Sequence, residues 1–205
     1  MLDKTFKLEM PEKSTGGMSI LLCGSTRSGK TTFMKHLLDH DFHKHITILM
    51  SPNIHAPAYH DVSKDALCCD DFDGDIIKDM FQINKKTDNH YDFCVVLDDI
   101  VTKKFDKDIL NLFTTHRNAN ISGIMCIQSP VLLNSAMRGN VNVVLLGYMN
   151  SDESCERVIR MFCYASVPGK NIEEKINAYK ALTKDHHWIV CDNLTGDIYR
   201  TKLSI

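Results

Sequence analysis

Gly24-Ser25-Thr26-Arg27-Ser28-Gly29-Lys30-Thr31 carries the most specific chemistry in the chain. It fits G-x-x-x-x-G-K-[ST], the phosphate-binding P-loop, and average residue usage would produce its four fixed positions by chance in roughly one chain of this length in a hundred. Small residues let successive backbone N–H groups turn toward a β-phosphate, and the N-terminus of a following helix adds partial positive charge. Lys30 then reaches the β- and γ-phosphates and Thr31 ligates Mg²⁺, so the chemistry expected is phosphoryl transfer from ATP. Thr32 joins these eight residues as the expected nucleotide contacts. The competing explanation is a glycine-rich turn with no ligand.

The next carriers are carboxylates. Phe93-Cys94-Val95-Val96-Leu97-Asp98-Asp99 is an apolar run delivering two acids at its end, the position where ligands bind in open α/β sheets. Asp98 is expected to hold the Mg²⁺ shell through water, and Asp99 to orient or deprotonate an attacking water. A helix cap is the alternative for the pair. Gln128 directly follows another apolar run, Ile121 to Ile127. If that run lies between the loop strand and the carboxylate strand, the Gln128 amide faces the γ-phosphate; otherwise it is a turn residue before Ser129-Pro130. Arg117 precedes the same run and Arg138 follows the next helix, so either is a candidate arginine finger or a solvated surface arginine.

These groups need a scaffold. Near-continuous apolar runs at Met18 to Cys23, Ile46 to Met50, Phe93 to Leu97, Ile121 to Ile127 and Val141 to Leu146 read as strands buried on both faces. Helical patterns separate them at Lys30 to Asp39, Asp106 to Thr115 and Val131 to Met137. Asn150 with Glu153 resembles a capping box opening a helix through Cys155, Val158, Ile159 and Phe162, and Asn171 with Glu174 opens another through Ile172, Ile176 and Tyr179. Trp188 to Cys191 and Ile198 to Lys202 flank turn residues as a hairpin would. Ser51 to His90 is the least legible segment, with a helix near Asp75 to Gln82 and otherwise loops. The fold class is α/β, a mostly parallel sheet flanked by helices with a C-terminal β-hairpin. One domain is expected over 1–205, its core at about 18–163 and the last helix and hairpin at 164–205.

Composition bounds the rest. In 205 residues, 43% hydrophobic and 24% charged content with ten Gly and five Pro exclude collagen-like, repetitive and disordered classes. Lys plus Arg is 24 and Asp plus Glu is 26, so no overall basic field points to nucleic acid, although a basic loop can sit on a neutral body. Lys103-Lys104-Phe105 is such a candidate for DNA phosphates, or a solvated loop. The eight cysteines lack regular spacing, and Cys23, Cys94 and Cys126 sit in apolar runs, which reads as a reduced, intracellular setting. No stretch approaches 18 apolar residues and Met1-Leu2-Asp3-Lys4 leads into charge, so membrane insertion and secretion are not expected. His36 and His40 share a helix face, where cationic imidazoles near a helix C-terminus explain them better than zinc.

In this order the sequence resembles the packaging ATPases of large DNA viruses, the poxvirus-type branch of the FtsK and HerA superfamily of P-loop DNA-pumping motors. The resemblance runs from about Ser19 to Phe162, and is carried by the P-loop, Ser51-Pro52, Leu97-Asp98-Asp99-Ile100, Phe113-Thr114-Thr115-His116-Arg117-Asn118, Ile121 to Gln128, and Met137-Arg138-Gly139-Asn140. It implies a RecA-like sheet, ATP and Mg²⁺ as cofactors, double-stranded DNA as substrate, and a homo-oligomeric ring of five or six copies. A capsid or portal-vertex protein is the implied docking partner. The implied setting is host cytoplasm or viral factory, with virion association as a further expectation. By position Arg117 matches the family's arginine at the start of the fourth strand, expected at the rim of the nucleotide cleft, and Gln128 matches its polar sensor. The wider superfamily often has Glu where Asp99 stands. With no room for a nuclease domain, the chain is expected to pump without cutting. A small-molecule kinase would need an arginine-rich lid, and a GTPase an N-K-x-D loop that Asn84-Lys85-Lys86-Thr87 misses. A nucleotide-gated virion scaffold is the non-enzymatic alternative.

Overall fold

The computed structural model describes residues 1–8, 16–62, 66–100, 107–130, 133 and 135–203. Among them one sheet of eight strands is built in the order β3-β2-β4-β5-β1-β6-β7-β8. The strands are β1 (Ser19–Cys23), β2 (Ile46–Met50), β3 (Leu67–Cys69), β4 (Phe93–Asp98), β5 (Ile121–Ile127), β6 (Val143–Leu146), β7 (His187–Asp192) and β8 (Ile198–Lys202). All pairings from β3 to β6 are parallel, and β7 and β8 add antiparallel to β6. The expected parallel sheet with a terminal hairpin is therefore the architecture observed. No helix of the described residues is long and apolar enough to cross a membrane.

Each inner strand is mostly apolar because helices and loops cover both faces, with Ser19, Thr47, Asp98 and Ser122 as buried polar exceptions. Alternation sends Leu21, Cys23, Val95 and Leu97 into one layer and Ile20, Leu22, Cys94 and Val96 into the other. The first layer packs under α2 (Gly74–Lys86), α3 (Lys107–Thr115), α4 (Ser135–Asn140), α5 (Asp152–Val158) and α6 (Ile172–Thr183). The second packs under α1 (Lys30–His40) through Phe33, Met34, Leu37 and Leu38, joined by Ile54, Tyr59 and Val62 of the segment after β2. Trp188 of β7 meets Phe33 edge-on at 5.3 Å, and an added Cβ on Gly147 would lie 2.9 Å from the indole. Only glycine lets the sheet edge close so tightly over the start of α1.

Several boundaries differ from the sequence expectation. Leu67–Cys69 is a short edge strand, not a loop, because it completes the parallel ladder of β2. α2 is longer than Asp75 to Gln82: the Asp73 carboxylate accepts from Asp75 and Ile76 N–H at its start, so part of the acidic cluster is a cap. α5 is capped by Ser151, whose hydroxyl accepts from Ser154 N–H, in place of the Asn150 and Glu153 box. It runs on into a π-helical turn, Ile159–Cys163. The Asn171 cap of α6 is as expected, with Glu174 reaching back to Lys170 N–H. β1 starts at Ser19 and β6 at Val143. Asp106, the Lys103-Lys104-Phe105 stretch, and 131, 132 and 134 of the helix expected from Val131 lie outside the described residues.

Candidate nucleotide site

Register brings the chemistry to one edge. Cys23 pairs with Ile127 on one side and Leu146 on the other, and Asp98 pairs with Cys126, so β1, β4, β5 and β6 end at one level. The chain leaves that edge in linked turns: Gly24 N–H donates to Ile127 O, Gly147 N–H to Cys23 O and Ser25 N–H to Tyr148 O. A Cβ on Gly24 would meet the Ser28 hydroxyl at 2.5 Å. Gly29 turns the loop into α1 with φ +97°, a conformation glycine adopts without strain.

The start of α1 suits an anion. Its N-cap, Gly29, provides no side-chain cap, and its first turn carries no acid. The Ser28 hydroxyl is buried without a hydrogen-bond partner. Lys30 is buried, its ammonium donating to Gly24 O at 2.8 Å and Ser25 O at 3.2 Å. A buried cation, an orphaned hydroxyl and an uncapped helix terminus fit a phosphate chain. Thr31 is half-buried beside Lys30 on the first turn, and Thr32 is exposed.

Asp98 is 2% exposed at the end of β4. Burial pushes its carboxyl above the usual carboxylate range, and the Asp99 charge adds to this, while the hydrogen bond from Tyr59 and the Lys30 ammonium pull it down. Asp98 is thus an acid held between a cation and a phenol. A carboxylate and a threonine hydroxyl are oxygen donors of the kind a hard divalent cation takes, so Asp98 beside Lys30, with Thr31 next to Lys30 on the first turn, fits Mg²⁺. Asp99 takes a left-handed φ of 53° and is half-buried. β5 does lie between β1 and β4. Gln128 accordingly spans the two sides of the site: its amide N–H donates to Asp99 Oδ1 at 3.1 Å, and its carbonyl accepts from the Thr26 hydroxyl at 3.2 Å.

The arginines lie elsewhere. Arg117 is exposed in a 3-10 turn, His116–Ala119, just before β5. Its backbone packs against Gly16, ahead of β1. It therefore sits at the strand-start edge of the sheet, and the expectation of a place at the rim of its own cleft is corrected. The physical reason is that β5 runs parallel to β1, so a residue before it must lie at the far end from the loop. His116 Nε2 and Ser19 N–H converge on Asn142 Oδ1, which locks that turn to β1 and β6. Arg138 is half-buried in α4, its guanidinium donating to Leu133 O, and α4 ends where Asn140 O accepts from the Ser19 hydroxyl.

The sequence reading missed a cleft of about 470 Å³ on the β6–β7 side of the loop, lined by Arg27, Ser28, Tyr148, Lys184, Asp185 and His186 among others. Asp185 and His186 both adopt positive φ, turning the chain from α6 into β7 and setting the His186 ring 3.4 Å from Ser28 O. Lys184-Asp185-His186-His187 reads in sequence only as a polar connection, so proximity to the loop is a tertiary property.

Fold and loop together define the class: a P-loop NTPase fold of the mostly parallel, helix-flanked kind. Two solved structures share it over almost their whole length. One is the genome packaging NTPase B204 from Sulfolobus turreted icosahedral virus 2 in complex with AMP (18% identity, TM-score 0.68, 92% of this chain and 98% of that one). The other is the DNA-packaging ATPase B204 from Sulfolobus turreted icosahedral virus (16% identity, TM-score 0.69, 93% and 100%). The pCW3 conjugation coupling protein TcpA, in its monomer form with ATPγS, is similar at 13% identity and TM-score 0.56, over 91% of this chain and 60% of that one. No protein-family profile and no curated protein sequence matches the chain.

Proposed function

We propose that the protein is an ATP-hydrolysing motor of the FtsK and HerA kind that translocates double-stranded DNA, packaging a viral genome into a capsid as the poxvirus-type branch does. The observation that carries the reading is the convergence of Lys30, Asp98, Asp99 and Gln128 at one sheet edge, with Gln128 bonded to both the loop and the second carboxylate. The likeness of the fold, at near-equal length, to a viral DNA-packaging ATPase supports the choice of substrate.

The loop N–H groups and Lys30 neutralise phosphate charge as it develops. Thr31 and Asp98 would hold Mg²⁺, which when bound would supply neutralisation of phosphate charge. Asp99 orients or deprotonates the attacking water, and its bond to Gln128 holds the carboxylate toward the γ-phosphate side. Gln128 then reports the γ-phosphate to β5 because it touches both groups flanking it. With the γ end directed toward β4 and β5, the nucleoside leaves toward the cleft of Tyr148, Lys184 and His186. Ring assembly as five or six copies sets Arg117 of one subunit against the nucleotide of the next. A capsid or portal-vertex protein is the docking partner, in host cytoplasm, viral factory or virion.

The deciding experiment measures ATP hydrolysis with and without double-stranded DNA. Stimulation is expected; phosphoryl transfer to a nucleoside in place of DNA-stimulated hydrolysis would make the protein a kinase.

A further inference from the structure

The segment between β2 and β3, illegible in sequence, delivers one side chain to the site. Tyr59 ends a 3-10 turn, Pro57–Tyr59, and its ring is buried in the α1-side layer among Leu49, Ile54, Val62 and Val96. Its hydroxyl lies 2.5 Å from Asp98 Oδ2. A phenol has one proton to donate, and an ionised carboxylate only accepts, so the bond runs from Tyr59 to Asp98 and is of the short, charge-assisted type.

The direction is enforced from behind. Asn53 N–H donates to the Ser51 hydroxyl at 3.2 Å, and that hydroxyl donates to Tyr59 Oη at 3.4 Å. Ser51 N–H is in turn tied to Cys69 O on the edge strand. Each hydroxyl in the chain therefore accepts from one group and donates to the next, ending on Asp98.

We propose that Tyr59 is a positioning residue for Asp98: it occupies Oδ2 and fixes the carboxylate so that Oδ1 is presented to the Mg²⁺ shell of a bound nucleotide. The proposal rests on the ATPase reading above. A ring locked in an apolar layer has little rotamer freedom, so the phenol sets the carboxylate plane as groups behind metal ligands commonly do. Asp98 also meets the Lys30 charge, the Asp99 N–H and the Cys126 thiol, so without the phenol the carboxylate is free to turn toward those groups and away from the cation.

The test uses Tyr59→Phe, which keeps the ring and removes only the hydroxyl. Binding of N-methylanthraniloyl-ADP is titrated in EDTA and against Mg²⁺, with thermal unfolding recorded alongside. Affinity in EDTA is expected to be unchanged, and the Mg²⁺ concentration giving half of the metal-dependent gain to rise about 10- to 100-fold, the usual effect of removing an outer-shell partner. On an Asp98→Asn background the same change is expected to add nothing further. An unmoved Mg²⁺ midpoint in Tyr59→Phe, with Asp98→Asn moving it, would overturn the positioning role. So would equal losses with and without Mg²⁺. If Asp98→Asn itself leaves the midpoint in place, it is the assignment of Asp98 in the ATPase reading that fails.

Discussion

Arg117→Ala is the perturbation that best separates a ring motor from a self-sufficient hydrolase. β5 has seven residues, and at ~3.3 Å each it separates Arg117 from Gln128 and the loop by about 20 Å. Across that distance a unit charge in water contributes only ~0.2 kcal/mol, less than a twofold change in rate. On its own subunit, then, the substitution should leave nucleotide affinity and any basal hydrolysis unaltered. Supplied to a neighbour, an arginine finger is worth about 10³ to 10⁵ in rate, or ~4 to 7 kcal/mol. Hydrolysis per subunit should accordingly be equal for wild type and Arg117→Ala at dilutions where both are monomeric, and diverge by orders of magnitude as oligomers form. Mixing Arg117→Ala with Lys30→Ala creates some interfaces holding both an intact loop and an intact finger, so activity should partly return. A defect of Arg117→Ala already present in monomers would refute the reasoning, because the structure allows no route for it within one subunit. No recovery in rings shown to be mixed would move the finger to Arg138.

Other outcomes follow from single contacts. Asp98→Asn should weaken Mg²⁺-dependent nucleotide binding, whereas Asp99→Asn should keep ATP bound but unhydrolysed; equal affinities and equal residual rates for the two would sink that division, read by nucleotide titration and phosphate release. Asp41 closes α1, where burial pushes its carboxyl up to about 6 despite His40 and His43, against 3.8 for a free aspartate. Because the folded state holds the proton more tightly, ionisation destabilises it as pH rises from 4 through 6, so Asp41→Asn should be more stable at pH 7, by about 1 kcal/mol because solvent screens this half-buried group. Denaturant titrations at pH 7 and pH 3 check this: the difference should vanish at the lower pH, which lies below both values, and a constant difference would exclude the titration as its cause. Asn142→Ala leaves Ser19 N–H and the His116 ring short of their shared acceptor. It should cost about 2 to 4 kcal/mol in the same assay; a loss under ~0.5 kcal/mol would mean that other groups hold the Arg117 turn.

Local pattern determined much of this protein. The runs at Ser19–Cys23, Ile46–Met50, Phe93–Asp98 and Ile121–Ile127 are legible because strands covered on both faces must be mostly apolar, and the loop is legible because Gly24, Gly29 and Lys30 are each demanded by backbone geometry or charge. Leu67–Cys69 was not, since a three-residue edge strand has no periodicity and exists only because β2 offers it a ladder. Tertiary structure alone decided three further matters. Strand order placed Gln128 between Thr26 and Asp99; parallel direction sent Arg117 to the opposite edge; and folding of the segment after β2 carried Tyr59 onto Asp98, 39 residues away in sequence. Residue types and spacing state what a side chain can do chemically, but which partner it meets depends on the register and order of strands far apart along the chain, and no local window of sequence contains that information.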